Sequence, residues 1–179
     1  MPGDDEVPLP LMAATRAVTI KARPNEIWPW LVQIGTGRAG WYSYDWIENL
    51  MGLRVTSAEQ IKPEFQQLKV GNTVPLAPGL GISVKTIEPN RSLLLVGHDP
   101  AFGDTSWVFG LYPVDEKHTR LVSRYRVHWP LTAGGLLWLL VTDPGSFVMT
   151  RKMLLGIKRR VERASSQKAG EMHELVKEG

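Results

Sequence analysis

Residues 92–129 read SLLLVGHDPAFGDTSWVFGLYPVDEKHTRLVSRYRVHW. Three runs rich in β-branched, aromatic and leucine residues stand out: Ser92–His98, Ser106–Val114 and Thr119–Trp129. Asp99-Pro100 and Asp115-Glu116 separate them, and such residues favour turns over continued strand. The last run alternates. Leu121, Ser123, Tyr125, Val127 and Trp129 share one face, and Arg124, Arg126 and His128 share the other. One apolar and one basic face is the pattern of an antiparallel strand with a single side in the core. Tyr125 then points inward and its hydroxyl needs a partner or a ligand. A register one residue off would turn Arg124 and Arg126 inward and imply an anionic ligand.

Upstream, Gly71-Asn72, Pro78-Gly79 and Pro89-Asn90 bound two more runs, Thr73–Ala77 and Ile82–Glu88. Together these make a meander of about five strands. Ala14–Ala22 alternates too, with Val18, Ile20 and Ala22 on one side and Ala17, Thr19 and Lys21 on the other. Pro24 suits the start of a helix, and Ile27, Leu31 and Ile34 continue it at helical spacing from Asn25 to Ile34, with Pro29 within the first turn or so and Gly35 as its stop. Trp41–Leu53 reads as a second helix whose apolar residues are Trp46, Ile47, Leu50 and Met51. Downstream of the meander, Asp143-Pro144-Gly145 and Ser146 are a good approach and N-cap. Phe147, Thr150, Leu154, Ile157, Val161 and Ala164 then step by three and four along a long helix from Ser146 to Lys168.

The order is strand, two short helices, about five antiparallel strands, one long helix. It excludes alternating βαβ architecture. The expected fold is α+β: a curved antiparallel sheet wrapped around a long C-terminal helix in a helix grip, with a cavity between helix and sheet. The domain spans 14–168, with a loose segment 1–13 before it and a tail 169–179 after it.

Composition narrows the function. A chain of 179 residues is one domain and can build its own core. It has no cysteine, which removes disulfides, thiol catalysis and zinc–thiolate sites. Twenty-one basic against 18 acidic residues leave a net charge of +3, too small an excess to point to nucleic acid. Four scattered histidines show no metal spacing. The acidic start, Met1-Pro2-Gly3-Asp4-Asp5-Glu6, is unlike a signal peptide, and Val127–Thr142 is too short to span a bilayer, so cytoplasm is the default location. Seven tryptophans against four Phe and four Tyr point to a bulky core or an aromatic-lined cavity.

The stretch Ala22-Arg23-Pro24-Asn25-Glu26-Ile27-Trp28-Pro29-Trp30-Leu31 resembles the A-x-P-x-x-V-W entry into the first helix of the START-like (SRPBCC) superfamily. That group includes polyketide cyclases and dehydrases, relatives of the birch pollen allergen and lipid-transfer START domains. Gln33–Ser43 and Met149–Lys158 look like a bacterial branch whose members have no assigned reaction. The resemblance covers Ala14 to Ala164. It implies the helix-grip fold and a ligand cavity, and it carries over no catalytic residue. If there is a reaction, the resemblance implies cofactor-free cyclase or dehydratase chemistry by enol stabilisation. With no dedicated acid–base pair in the sequence, the reading leans towards binding.

Gly35-Thr36-Gly37-Arg38-Ala39-Gly40 matches the dinucleotide fingerprint, with Glu59 at the distance of a ribose-binding acid. The match fails on context. Pro29 sits where the parallel strand should be, and Trp41 and Tyr42 crowd the position where a helix should approach a pyrophosphate. The glycines read instead as a tight inter-helix loop carrying Arg38. Arg38, Trp41, Tyr42 and Tyr44 are expected at the mouth of the cavity. Trp107, Phe109 and Tyr125 from the sheet and Phe147, Thr150 and Leu154 from the long helix are expected to line it. The ligand is a small hydrophobic or aromatic molecule, with no cofactor and no metal. The alternative is a membrane-surface or homodimer module, using the apolar segment 131–149 with the basic residues Arg151, Lys152, Lys158, Arg159, Arg160 and Arg163. His98 reads as a turn residue ahead of Pro100.

Overall fold

The strands pair in the order β1-β6-β5-β4-β3-β2, every pair antiparallel. They are β1 (Met12–Ile20), β2 (Thr73–Ala77), β3 (Leu80–Glu88), β4 (Ser92–Asp99), β5 (Gly103–Pro113) and β6 (Thr119–His128). The computed structural model describes residues 1–50, 52, 55–77, 79–99, 103–128, 147–167 and 170. The meander is the one expected, with β3 and β5 beginning earlier. At the β3–β4 turn the Arg91 N–H donates to the Glu88 carbonyl at 2.9 Å, and Asn90 takes a φ of 62°, a left-handed value that asparagine tolerates. The first strand closes the sheet against the last, pairing from Met12↔Val127 to Ile20↔Thr119.

The inner face carries the core. Ile20, Leu93, Leu95, Phe109, Leu111 and Leu121 are buried there. In the register Leu93 stands opposite Phe109, and Leu111 opposite Leu121. The expected face of β6 is the observed one: Leu121 and Ser123 are buried inward, and Trp107 Nε1 donates to Ser123 Oγ at 2.8 Å.

The first and last helices meet this face, and a short one lies between them in the chain. Helix α1 (Pro24–Val32) has Pro24 at its start, and Glu26 accepts the Arg23 N–H at 2.8 Å, which fixes the first turn. Pro29 lies inside the helix rather than in its first turn, and Ile27, Trp30, Leu31 and Val32 are buried. Helix α2 is shorter than expected, Asp45–Leu50 instead of Trp41–Leu53. Asp45 is tied outside the helix, where its carboxylate accepts the Ser57 N–H at 2.7 Å and the Ser57 hydroxyl at 2.5 Å. Trp46 and Leu50, read as apolar residues of that helix, are 67% and 82% exposed. Helix α3 (147–167) crosses the sheet, and Met153, Leu154, Ile157 and Val161 are buried beneath it.

The outer face is covered as well. Residues 1–11, read from sequence as loose, lie along it. A Cβ at Gly3 would fall 2.4 Å from Leu94 Cδ1, and Val7 is buried. Arg124 Nε donates to Asp4 at 2.7 Å, and Arg126 donates to the Val7 carbonyl at 2.9 Å. The basic face of β6 is therefore a seat for the chain's own start. Burial alone would raise the Asp4 carboxyl pKa, but hydrogen bonds from the Met1 ammonium and Arg124 outweigh it and hold it below the ordinary value. A carboxyl so lowered stabilises the fold above its unfolded pKa of about 4, and that contribution is lost as the pH falls through the lower folded value. Urea midpoints of Asp4→Asn and the unsubstituted chain should therefore differ by a constant amount above pH ~4 and converge below it.

Candidate functional site

The two halves of α3 pack differently. Towards its C-terminal end Leu154, Ile157 and Val161 seal the core. At its N-terminal end Phe147 is 52% exposed, and the strand face beneath is half-buried at Arg16 and Val18. Between β1 and this half of α3 lies a groove of about 280 Å³. Arg16, Val18, Phe147, Arg151, Leu154 and Leu155 line it.

Arg16 is the unusual member. β1 places it with Ala14, Val18 and Ile20 on the inner face. Its guanidinium carbon lies 4.9 Å over the Phe147 ring. Its Nε is shielded from solvent and has no hydrogen-bond partner among the described residues. A charged group taken from water is normally hydrogen-bonded or paired, and a cation–π contact offsets only part of that loss.

Three of the expected lining residues, Phe147, Thr150 and Leu154, do stand on this half of α3, and Phe147 and Leu154 line the groove itself. The aromatic members expected from the sheet stand elsewhere. Trp107 stacks on Trp41 with ring centroids 5.5 Å apart, and meets Phe109 at 5.0 Å and Tyr125 edge-on at 6.0 Å. Phe109 is fully buried in this stack, and Trp41 Nε1 donates to Thr36 Oγ1 at 3.0 Å. Burial raises the Tyr125 pKa, with a hydrogen bond to Thr105 opposing it.

The residues expected at the mouth hold loops together. Tyr42 is almost fully buried at a φ of 57°. Gln33 Nε2 donates to its hydroxyl at 2.7 Å, and burial pushes its pKa up against that bond and the charges of Arg160 and Arg38. Arg38 closes the end of α1: its guanidinium donates to the carbonyls of Val32 at 2.9 Å, Ile34 at 3.1 Å and Phe65 at 3.2 Å. Gly35 and Gly40 exchange backbone hydrogen bonds at 3.1 Å, so the glycine run is a tight loop carrying Arg38. The Tyr44 ring lies beneath the Lys152 ammonium, 5.1 Å away.

The basic residues of α3 do not form one open face. Arg160 is buried, stacks over the Tyr42 ring at 4.9 Å, and donates to the Ala58 carbonyl at 2.8 Å and to Glu59. Burial lowers its pKa, with Glu59 opposing. Glu59, the supposed ribose acid, also pairs with Arg163 at 3.2 Å. Lys158 Nζ donates to the Thr19 carbonyl at 2.8 Å, which ties the helix to β1. Most of the segment 131–149, with Trp138, lies outside the described residues, as do Trp129, Ser146 and His173. No helix among the described residues is long and apolar enough to cross a membrane, and no three His, Asp or Glu among them could hold a metal. His98 meets Asp104 across the strand pair at an exposed position.

The architecture has counterparts among solved structures. A protein from Chromobacterium violaceum matches over 84% of this chain and 98% of its own, at 11% identity and a TM-score of 0.52. The sheet order, the early helices and the long helix across the inner face decide the class. The fold is the START-like helix grip. At such low identity the likeness speaks for the architecture alone. A Thermobifida fusca protein matches over 83% of this chain and 94% of its own, at 13% identity and a TM-score of 0.51. The di-domain ARO/CYC protein BexL, from the BE-7585A biosynthetic pathway, matches over 85% of this chain and 47% of its own, at 13% identity and a TM-score of 0.47, too distant to bear on chemistry. No protein-family model and no curated protein matches the sequence.

The sequence reading missed Arg16. The signal was there: it stands two residues before Val18, on the apolar side of an alternating strand.

Proposed function

We propose that the chain binds a small hydrophobic or aromatic molecule between α3 and the sheet, with the groove against β1 as its seat. The observation that carries this reading is the groove itself, about 280 Å³ walled by Val18, Phe147, Leu154 and Leu155. Small-molecule sites are concave, mostly apolar, and carry a few polar groups that fix orientation. The volume lies at the small end of such sites, which run from about 300 Å³ upward, so the ligand is compact. Binding is a better-supported reading than cyclase or dehydratase chemistry, because among the described residues the groove lining offers no Asp, Glu, His or Tyr to act as acid or base.

Native mass spectrometry and tryptophan fluorescence against a panel of medium-chain and aromatic compounds test it. The expected result is one-to-one adducts with compact compounds and weaker binding of much larger ones. A panel without a single binder overturns the reading.

A further inference from the structure

The groove is basic at a place where an ordinary apolar pocket would not be. Arg16 and Arg151 both line it, and among the described residues no acidic side chain does. The other inward-directed arginines are provided for. Arg38 is bonded to three carbonyls, and Arg160 to two carbonyls and Glu59. Among the described residues Arg16 has only the Phe147 ring, and its Nε is shielded without an acceptor. Its neighbour across the strand pair is Ser123, whose hydroxyl already accepts from Trp107. Arg151 is exposed, and among the described residues no acid pairs with it.

We infer that the groove takes an amphipathic monoanion, its carboxylate held by Arg16 with Arg151 at the rim and its apolar body against Val18, Leu154 and Leu155. This rests on the groove being the ligand seat, and it adds the class of ligand. A guanidinium presents a planar fork of donors that matches a carboxylate, and that pairing strengthens where water is excluded. The Phe147 ring, 4.9 Å from the guanidinium carbon, packs against the cation beside the groove. Without ligand, the half-buried cation costs stability, which is the expected condition of a side chain kept for recognition rather than for packing.

Octanoate and 1-octanol, titrated into the full chain by calorimetry, separate the two levels of the reading. They share an apolar body of about the right size and differ in the head. The inference expects octanoate to bind at least about tenfold more tightly than octanol. Arg16→Met should remove that preference while leaving octanol affinity unchanged, and should leave the melting temperature of the free protein equal or higher. Arg151→Gln should weaken octanoate by a smaller factor. Equal affinities for the two ligands, or a preference that survives Arg16→Met, overturn the anion assignment and leave the groove reading standing. A free-protein melting temperature that falls in Arg16→Met, with both ligands weakened alike, makes Arg16 structural and also overturns it. No binding of either ligand overturns both.

Discussion

Gly156→Ala is expected to destabilise the protein by about 3 kcal/mol, in the upper part of the range for overpacking. The sign is the informative part. In the interior of an ordinary helix this change stabilises by about 1 kcal/mol, because alanine loses less backbone entropy. Here a Cβ would fall 2.1 Å from the Tyr42 carbonyl oxygen and 3.0 Å from the Tyr42 Cβ. The nearest atom is backbone, so neither partner can rotate away. Tyr42 cannot yield easily: it is held at a φ of 57°, and its N–H donates to Ser57 Oγ at 2.9 Å. One turn on, Arg160 donates to the Gly156 carbonyl at 3.3 Å and covers the Tyr42 ring. Helix and loop therefore interlock at the residue where the helix has no side chain. For a protein of this size the loss amounts to a melting temperature lower by roughly 6–12 °C. A neutral or stabilised variant would mean that α3 does not approach the 39–43 loop this closely.

Phe109→Ala is expected to cost about 3–5 kcal/mol, the range for emptying a buried aromatic site. Phe109 is fully buried beside Trp107, 5.0 Å away, with Leu93 of β4 and Ser123 of β6 opposite it. The measurement is a urea unfolding curve. It also decides how deep the ligand seat runs. A loss below about 1.5 kcal/mol would mean that the interior at Phe109 is already open, with little cavity left to create. The full loss would mean a solid interior there, with the open volume confined to the groove beside β1.

The architecture was legible because each turn is written in local chemistry. Asn90 and the Asp115 loop end strands for reasons contained within a few residues, and the alternation of β6 sets its inner face. The long helix could be read from the three-and-four spacing of Phe147, Thr150, Leu154, Ile157, Val161 and Ala164 alone. The site was less legible. Tyr42 and Trp41 resemble mouth aromatics in sequence, yet Gly156, more than a hundred residues away, lets the helix come down on their loop. Arg38 looks free in sequence, and only the fold brings the end of α1 to it. The start of α2 at Asp45 is held by a side-chain bond to Ser57, twelve residues on, that leaves no trace in periodicity. Arg16 is the opposite case. Its place on the apolar face of β1 is plain from alternation, but its missing partner becomes visible only when the surrounding elements are assembled.

The central claim is that the groove between β1 and the first half of α3 is where a small amphipathic molecule sits. Amide chemical shifts of the ¹⁵N-labelled chain, followed while octanoate is added, test it most directly. The account predicts saturable shifts concentrated at residues 16–18 and 150–155, with little change at residues 3–7 and 94 on the outer face. Shifts confined to that outer face, or no saturable shift anywhere, would contradict it.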